Sequence, residues 1–182
     1  MARGRPIKSL IRERMQQIVD ALGVSYGYEI YKVYEGAFSP IDLRSMYYHL
    51  RKGVELDEFA LVGMKEEKGA FTWGDFSLRR YYVLGPAAEE KANDDLHIIV
   101  KTLGLGYREP KDYVDWVKFL KEKAQQWRQE FVVITKTKKP NLNMLEGLDK
   151  KIISAVGWFR GKKIEVKELD SLHLEIERFL TN

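Results

Sequence analysis

The sequence predicts an α+β protein, and two observations lead to this fold class. Between residues 8 and 85, three short amphipathic helical segments are followed by two strand-like segments with a glycine-containing connection. Between residues 86 and 182, apolar residues recur mainly at helical spacing. We therefore expect a basic arm at 1–7, a first domain at 8–85 and a helix-rich second domain at 86–182.

The composition is that of a globular protein. The chain has 182 residues, enough for a buried core, and 45% hydrophobic with 32% charged residues argues against general disorder. Cysteine is absent, which excludes disulfides, thiolate metal sites and cysteine catalysis. No apolar run approaches ~18 residues and no signal peptide is visible, so we expect a cytoplasmic protein without a membrane span.

Part of the net charge of +4 is concentrated in residues 1–14, which contain five basic residues and one acidic residue. Within this segment, Arg3-Gly4-Arg5-Pro6 resembles the core of an AT-hook, in which an extended chain inserts guanidinium groups into a narrow A·T minor groove. The alternative is a mobile tail that touches phosphates loosely. Either way, Arg3 and Arg5 are predicted to contact nucleic acid.

The first two helices are predicted from apolar periodicity and stop signals. Residues 7–22 carry an apolar stripe, and Gly23 is a natural C-terminal stop. Ser25 is then expected to cap a second helix over residues 26–34, whose aromatic residues and Ile30 would pack on the first.

The third helix is predicted within residues 39–56. Ser39-Pro40 opens a turn, and the carboxylate of Asp42 suits the first turn of a helix. One side of this helix is expected to be apolar through Leu43, Met46, Tyr47, Leu50 and Val54. The opposite side is expected to present Arg44, Ser45, Tyr48, His49 and Lys52.

This polar side has the chemistry of a nucleic-acid contact. All five of its side chains can donate hydrogen bonds, and no acid interrupts the helix from Leu43 to Val54. Such a helix can lie in a major groove against phosphates and base edges. An ordinary amphipathic helix with a solvated face is the alternative.

A β-hairpin is predicted after the third helix. Residues 59–64 and 79–84 are strand-like, a polar segment at 66–69 is expected to begin the turn, and Gly74 lies in the connection. Arg79 and Arg80 are predicted to contact phosphates or the minor groove. Aromatic residues near the tip could stack on bases or pack within the hairpin, namely Phe71, Trp73 and Phe76. Three helices followed by a hairpin is the order of a winged helix-turn-helix domain.

Three separated motifs in this region resemble PadR-type transcriptional regulators. Tyr26-Gly-Tyr-Glu-Ile30 resembles the motif at the start of the family's second helix, and Tyr81-Tyr82-x-Leu84 resembles the strand that ends its wing. The family's recognition segment is matched by Ser39-Pro40, Leu43, Tyr48, Leu50 and Lys52. The resemblance implies a sequence-specific regulator that places the helix at about 42–54 in the major groove of double-stranded DNA. It covers roughly residues 8–85, and the longer wing and larger C-terminal region mean that effector and oligomer geometry do not carry over.

The second domain is predicted to be helix-rich, either α+β or all-helical. Pro110 begins a long helix over residues 109–127, and residues 145–159 and 169–180 form two more. Residues 163–167 alternate like a strand. Three further predictions are less determined: residues 85–95 form a linker or a connecting helix, residues 96–100 form a strand or helix, and residues 131–134 are a short β-branched run.

We expect a homodimer held by this second domain, because two half-sites need two recognition helices fixed by symmetry. The predicted interface comprises Tyr113, Trp116, Leu120, Trp127, Leu172, Ile176 and Phe179. Alternatively, these helices pack on each other inside one monomer.

The expected function is DNA binding without catalysis, metal or cofactor. His49, His97 and His173 lack the spacing of a metal motif. One alternative is a metal-dependent nuclease, because Glu165-Val-Lys167 on a strand with Asp149 upstream could surround a divalent ion. Another is a winged-helix module that binds a protein partner.

Overall fold

The computed structural model describes residues 9–71, 74–89, 93–137 and 139–181, without the side chains of residues 70, 71 and 74. The chain forms two compact units, Met1–Val114 and Asp115–Asn182. The predicted domain boundary at 85/86 lies before this division.

The first unit begins with α1 (Leu10–Leu22), β1 (Ser25–Tyr26) and α2 (Gly27–Ala37). Gly23 ends α1 with a φ of 69°, a conformation that favours glycine. The prediction that Ser25 caps α2 is wrong, because Ser25 is buried in β1 and Tyr26 holds the N-cap position. There the Tyr26 backbone N–H donates to the carboxylate of Glu29 at 3.2 Å.

The remaining elements around the sheet are α3 (Leu43–Glu55), β2 (Phe59–Phe71) and β3 (Gly74–Leu84). The three strands form an antiparallel sheet in the order β1-β3-β2. The expected turn at 66–69 is wrong, because β2 continues through it and Lys68 pairs with Phe76. Cross-strand hydrogen bonding stabilises this solvent-exposed ribbon although its local composition is polar. Helices combined with this sheet are consistent with a winged-helix-like fold.

A fourth helix, α4 (Asp95–Thr102), completes the first unit by packing on α1 and α2. Its Leu96 and Val100 are buried in the same core as α1, α2 and α3, which settles residues 96–100 as helical. The core is formed chiefly by Met15, Ile18, Leu22, Ile30, Val33, Met46, Leu50, Phe59, Leu96 and Val100. Because α4 buries its apolar side here, the first unit extends beyond residue 85.

Arg108 connects the segment after α4 to the end of α1 and to the start of α2. Its backbone N–H donates to the Leu22 carbonyl at 2.9 Å, and its carbonyl accepts from the Val24 N–H at 3.1 Å. Its guanidinium forms a two-pronged ion pair with Glu29, with Nη1 2.7 Å from Oε2. Glu29 is 3% exposed, so this ion pair is largely withdrawn from water.

The chain then passes through α5 (Pro110–Tyr113) into the second unit, whose helices are α6 (Trp116–Thr135), α7 (Leu142–Gly161) and α8 (Lys167–Thr181). The predicted continuous helix over 109–127 is wrong. Val114 has an extended backbone, and the side chain of Asp115 caps α6 by accepting the Lys118 N–H at 3.0 Å. Residues 131–134 belong to the last turns of α6.

The predicted strand at 163–167 is also wrong. Lys163 has a φ of 61° in a turn after α7, and Lys167 already begins α8. Val166 is buried and its carbonyl accepts from Leu169, so the residue that suggested a strand anchors the start of a helix. None of the helices in the described parts of the chain is both long and apolar enough to cross a membrane.

The predicted dimer interface needs correction for four of its seven residues. Leu120, Trp127, Leu172 and Ile176 are at most 5% exposed within the single chain. In the second unit, α8 packs on both α6 and α7, as in the alternative in which these helices cover each other. The residues that keep partial exposure are Tyr113, Trp116 and Phe179.

Candidate nucleic-acid interface

The helix α3 is attached to the core by a narrow apolar side. Met46, Leu50 and Gly53 are buried, whereas Leu43 and Tyr47 are 40% and 44% exposed. The predicted apolar stripe was therefore too wide. Leu43 and Tyr47 lie at the edges of the buried side, where the neighbouring elements cover them only in part.

The exposed side of α3 and one residue of β3 form a single open depression. It is lined by Arg44, Tyr47, Tyr48, Arg51 and Arg80, which we call the basic surface. Its three guanidinium groups carry three positive charges, and it contains no acid. Among the residues that the structure describes, none of these three arginines forms an ion pair with a carboxylate.

Arg80 lies near two tyrosines, Tyr47 of α3 and Tyr82 of β3. Burial raises the pKa of Tyr47 and of Tyr82, and in both cases the guanidinium of Arg80 opposes the shift. The Arg80 guanidinium therefore lies close enough to both tyrosines for its charge to act on them, and Arg80 itself is exposed.

Tyr47 in turn rests on the first residue of α2. A Cβ atom added to Gly27 would lie 2.5 Å from Cε1 of Tyr47, closer than real contacts allow. Only glycine lets the Tyr47 ring lie here, so the glycine of the Tyr26-Gly-Tyr motif determines where Tyr47 lies in the basic surface.

Tyr48 and Arg51 form the exposed centre of α3. The Arg51 guanidinium lies over the Tyr48 ring at 5.9 Å from its centroid. Arg44 lies almost two helical turns before Arg51, so both point the same way, within about 20°. Tyr47 and Arg51 were missed by the sequence analysis; a helical wheel centred on Arg44 and Tyr48 would have found Arg51.

The other predicted residues of α3 lie beside this surface. Ser45 and Lys52 are about 100° and 80° around the helix from Arg44. The Ser45 backbone N–H donates to the Asp42 carboxylate at 2.8 Å, and Nζ of Lys52 pairs with Glu55 at 2.9 Å. This hydrogen bond to Lys52 lowers the pKa of Glu55.

His49 is turned towards α1. Burial, and secondly the charge of Arg12, lowers the pKa of His49. Its Nδ1 atom is buried and has no hydrogen-bond partner among the described residues. Arg12 is itself held by Glu58 at 2.7 Å. We therefore correct the predicted face: the structure groups Arg44 and Tyr48, while Ser45 and Lys52 flank them and His49 packs behind.

The two predicted hairpin arginines are separated by the alternation of the strand. Arg79 pairs with Glu67 and lies over the Tyr26 ring, 4.2 Å from its centroid, on the face away from the basic surface. Arg3 and Arg5 lie outside the described residues.

The hairpin continues beyond Arg80 with exposed apolar side chains on the same face. Met64 pairs with Arg80 in register, and Leu78 and Phe76 follow at two-residue intervals. These three are 59%, 60% and 48% exposed. Lys68 lies over the Phe76 ring at 5.7 Å. Phe76 is thus available to a partner, while the side chains of Phe71 and Trp73 lie outside the described residues.

The residues of the alternative nuclease site each have other partners. Oδ1 of Asp149 accepts a hydrogen bond from Nδ1 of His173 at 2.7 Å, whereas Glu165 and Lys167 form an exposed ion pair with each other at 2.7 Å. The hydrogen bond to Glu165 raises the pKa of Lys167. Across the described ranges, no group of three histidine or acidic side chains is arranged to hold a metal ion.

The sequence matches no protein-family model, and no curated protein matches it. Among solved structures, the chain is similar to one described as the crystal structure of Bacillus subtilis PadR in complex with operator DNA. The likeness has 14% sequence identity, covers 92% of this chain and 99% of that chain, and has a TM-score of 0.30. This is a weak fold-level resemblance, so a functional proposal must rest on the residues of this chain.

Proposed function

We propose that this chain is a sequence-specific DNA-binding regulator of transcription that places α3 in the major groove. One observation carries the proposal. The basic surface collects three arginines and two tyrosines on the exposed side of one helix and the adjoining strand, without an acid. A surface with uncompensated guanidinium groups is suited to a polyanion.

The residue types fit double-stranded DNA. The major groove is about 12 Å wide and admits an α-helix. Arg44 and Arg51 can each bind the O6 and N7 atoms of guanine with two parallel hydrogen bonds. The hydroxyl groups of Tyr47 and Tyr48 can donate to phosphate oxygens or base acceptors.

Arg80 supplies a contact from a second element. Since it projects from β3 beside α3, it can bind a phosphate at the edge of the groove while α3 lies inside. The hairpin beyond it then runs along the backbone or the minor groove, and residues 1–7 are proposed to reach the minor groove nearby.

We further propose a cytoplasmic homodimer that binds two half-sites without catalytic activity or cofactor. One short helix reads few base pairs, and symmetry doubles the site. Since Leu120, Trp127, Leu172 and Ile176 are buried within the chain, the interface would use other residues.

Selection of bound duplexes from a random DNA pool tests this function. The enriched duplex is then titrated by fluorescence anisotropy with the natural chain and with the triple variant Arg44→Ala, Arg51→Ala and Arg80→Ala. A control of equal net charge replaces Lys118, Arg128 and Arg160, which are exposed on the second unit. We expect the control to bind like the natural chain and the triple variant to lose sequence preference. Equal binding by both variants would refute the basic surface as the DNA site.

Two further measurements separate the alternatives. Light scattering of the protein on the selected duplex should give two chains per DNA, and one chain per DNA would contradict the dimer. Incubation of a linear duplex with Mg²⁺ should leave it intact, since cleavage would support the nuclease. If the random pool yields no bound duplex at moderate salt, the protein-interaction alternative is favoured.

A further inference from the structure

The second unit contains a corner of aromatic rings. Trp116 at the start of α6 and Trp158 near the end of α7 have ring centroids 5.3 Å apart and ring planes at 86°. Phe119 adjoins both indoles, with centroid distances of 6.1 and 6.3 Å. Phe119 is buried, whereas the two indoles are partly exposed. The cluster is therefore packed into the unit through Phe119, while part of each indole remains accessible to solvent.

A cation already lies over both indoles. Nζ of Lys162 is 4.8 Å from the Trp116 centroid and 4.5 Å from the Trp158 centroid. Both distances are within the ~6 Å over which the negative face of an aromatic ring attracts a positive charge. Two nearly perpendicular rings thus direct their attraction to one position.

The side chain of Lys162 can leave this position without unfolding a helix. Lys162 is the C-cap of α7, where its backbone N–H donates to the Phe159 carbonyl at 3.0 Å. Its side chain therefore starts at the end of the helix, where moving it does not disturb the helical backbone. Lys163 follows with a φ of 61°, so the chain turns away directly after Lys162.

We propose that Trp116 and Trp158 form a binding site for an organic cation of the quaternary ammonium class, which Lys162 occupies when no such ligand is bound. A primary ammonium is compact and strongly hydrated. A methylated ammonium is larger and less hydrated, so it can contact both rings at a smaller desolvation cost, as aromatic cages do for choline and methylated lysine. This site lies in the unit that does not carry the basic surface.

Lys162 then acts as a tethered competitor. A free cation has to displace it, so the natural chain should bind more weakly than a chain without this lysine. The same competition makes a charge-free residue at position 162 the most direct test.

The test is a titration followed by the indole N–H signals in two-dimensional NMR. The sequence has four tryptophans, which Trp→Phe variants assign. The probes are choline and its neutral isostere 3,3-dimethylbutan-1-ol, at constant ionic strength. The proteins are the natural chain, Lys162→Ala, Lys162→Gln as a second charge-free variant, and Lys118→Ala, which removes an exposed lysine of α6.

We expect choline to shift the Trp116 and Trp158 signals saturably, and to bind both Lys162 variants about three- to tenfold more tightly than the natural chain and Lys118→Ala. The buried Trp127 should not respond, and Trp158→Phe in the Lys162→Ala background should lose the binding. Equal affinities with and without Lys162, an equal response to the neutral alcohol, or no saturable shift in either charge-free variant would overturn the proposal.

Discussion

Arg79 and Arg80 are adjacent in the sequence and lie on opposite faces of the β-hairpin. Arg80 lines the basic surface together with α3, whereas Arg79 pairs with Glu67 and lies over Tyr26. Arg80 is therefore available to a polyanion, whereas Arg79 makes its contacts within the protein. Arg79 and Arg80 therefore allow a comparison between two residues of the same type at neighbouring positions of one strand.

From this arrangement we predict different effects of the two arginines on DNA binding. Arg80→Ala should weaken binding to all sequences and reduce the slope of log K against log salt by about 0.9, since one phosphate contact is lost. Arg79→Ala should retain the slope. Anisotropy titrations of the selected duplex between low and moderate salt measure both, and identical slopes for the two variants would contradict the assignment.

A second neighbouring pair tests base recognition by α3. Arg51→Ala should cost about 1–3 kcal/mol of binding free energy and relax the preference at one base pair, because a bidentate base contact is lost. Lys52 lies to the side and pairs with Glu55. Lys52→Ala should therefore leave the preferred sequence unchanged. Competition between the selected duplex and single-base variants measures the preference, and an unchanged profile for Arg51→Ala would exclude a specifying role.

The contact between Gly27 and Tyr47 predicts an effect without loss of a polar group. Gly27→Ala should displace the Tyr47 ring and weaken DNA binding by about 1 kcal/mol, a cost typical of a local steric shift. Gly157→Ala is the control, because it adds a methyl group within α7 where nothing lies within 4 Å. It should bind DNA normally and be more stable by up to ~1 kcal/mol. Full DNA affinity in Gly27→Ala would show that Tyr47 is not needed there.

The ion pair between Glu29 and Arg108 predicts a stability effect in the first unit. Arg108→Ala leaves the Glu29 carboxylate buried without its counter-charge. The Arg108 side chain is 27% exposed, so we expect a cost of about 2–3 kcal/mol, below that of a fully buried pair. Urea unfolding measures it, with Arg128→Ala as control at about 0–1 kcal/mol for an exposed pair.

A double variant shows whether this cost comes from the ion pair. Glu29→Gln together with Arg108→Ala should cost less than the sum of the two single changes, because no isolated charge stays buried. Strict additivity would mean that the two residues act independently.

The hydrogen bond between His173 and Asp149 predicts a pH-dependent stability. This bond raises the pKa of His173, and the charges of Asp149, Glu177 and Asp170 act in the same direction. Since the folded pKa exceeds the unfolded value of about 6.5, the stabilisation is complete below that value and is lost as the pH rises through the folded pKa.

His173→Gln should therefore destabilise the protein by about 1 kcal/mol near pH 6, and by less as the pH rises. Urea unfolding at several pH values between about 5.5 and 8.5 measures the difference from the natural chain. A difference that stays constant over this range would rule out the ionised pair.

The sequence by itself was sufficient for the first three helices and for the two strands that follow them. Apolar periodicity located α1, α2 and α3, and Asp42 was recognised at the start of α3, where it caps the helix. These features depend on residues three or four positions apart, so they are visible without the rest of the chain. Arg44 and Tyr48 were found for the same reason, since they share one side of one helix.

Contacts between residues that are distant in the sequence determined the features of the fold that local patterns did not predict. Cross-strand pairing extended β2 through the polar residues 66–69, and α4 joined the first core although it follows a Gly-Pro boundary signal. In the second unit, α6 begins after the cap residue Asp115, and the chain turns at Lys163. The apolar pattern of the sequence continues across both positions. Local patterns could not show these outcomes, because each depends on which partner covers an apolar or hydrogen-bonding group.

The composition of the basic surface also depended on tertiary structure. Arg80 reaches α3 because antiparallel pairing and the alternation of β3 place it there, while the same alternation turns Arg79 away. Gly27 lets the Tyr47 ring lie over the start of α2, while His49 is partly buried and close to Arg12 of α1. The sequence determined which side chains α3 could offer, and packing against α1, α2 and β3 decided which of them face outward together.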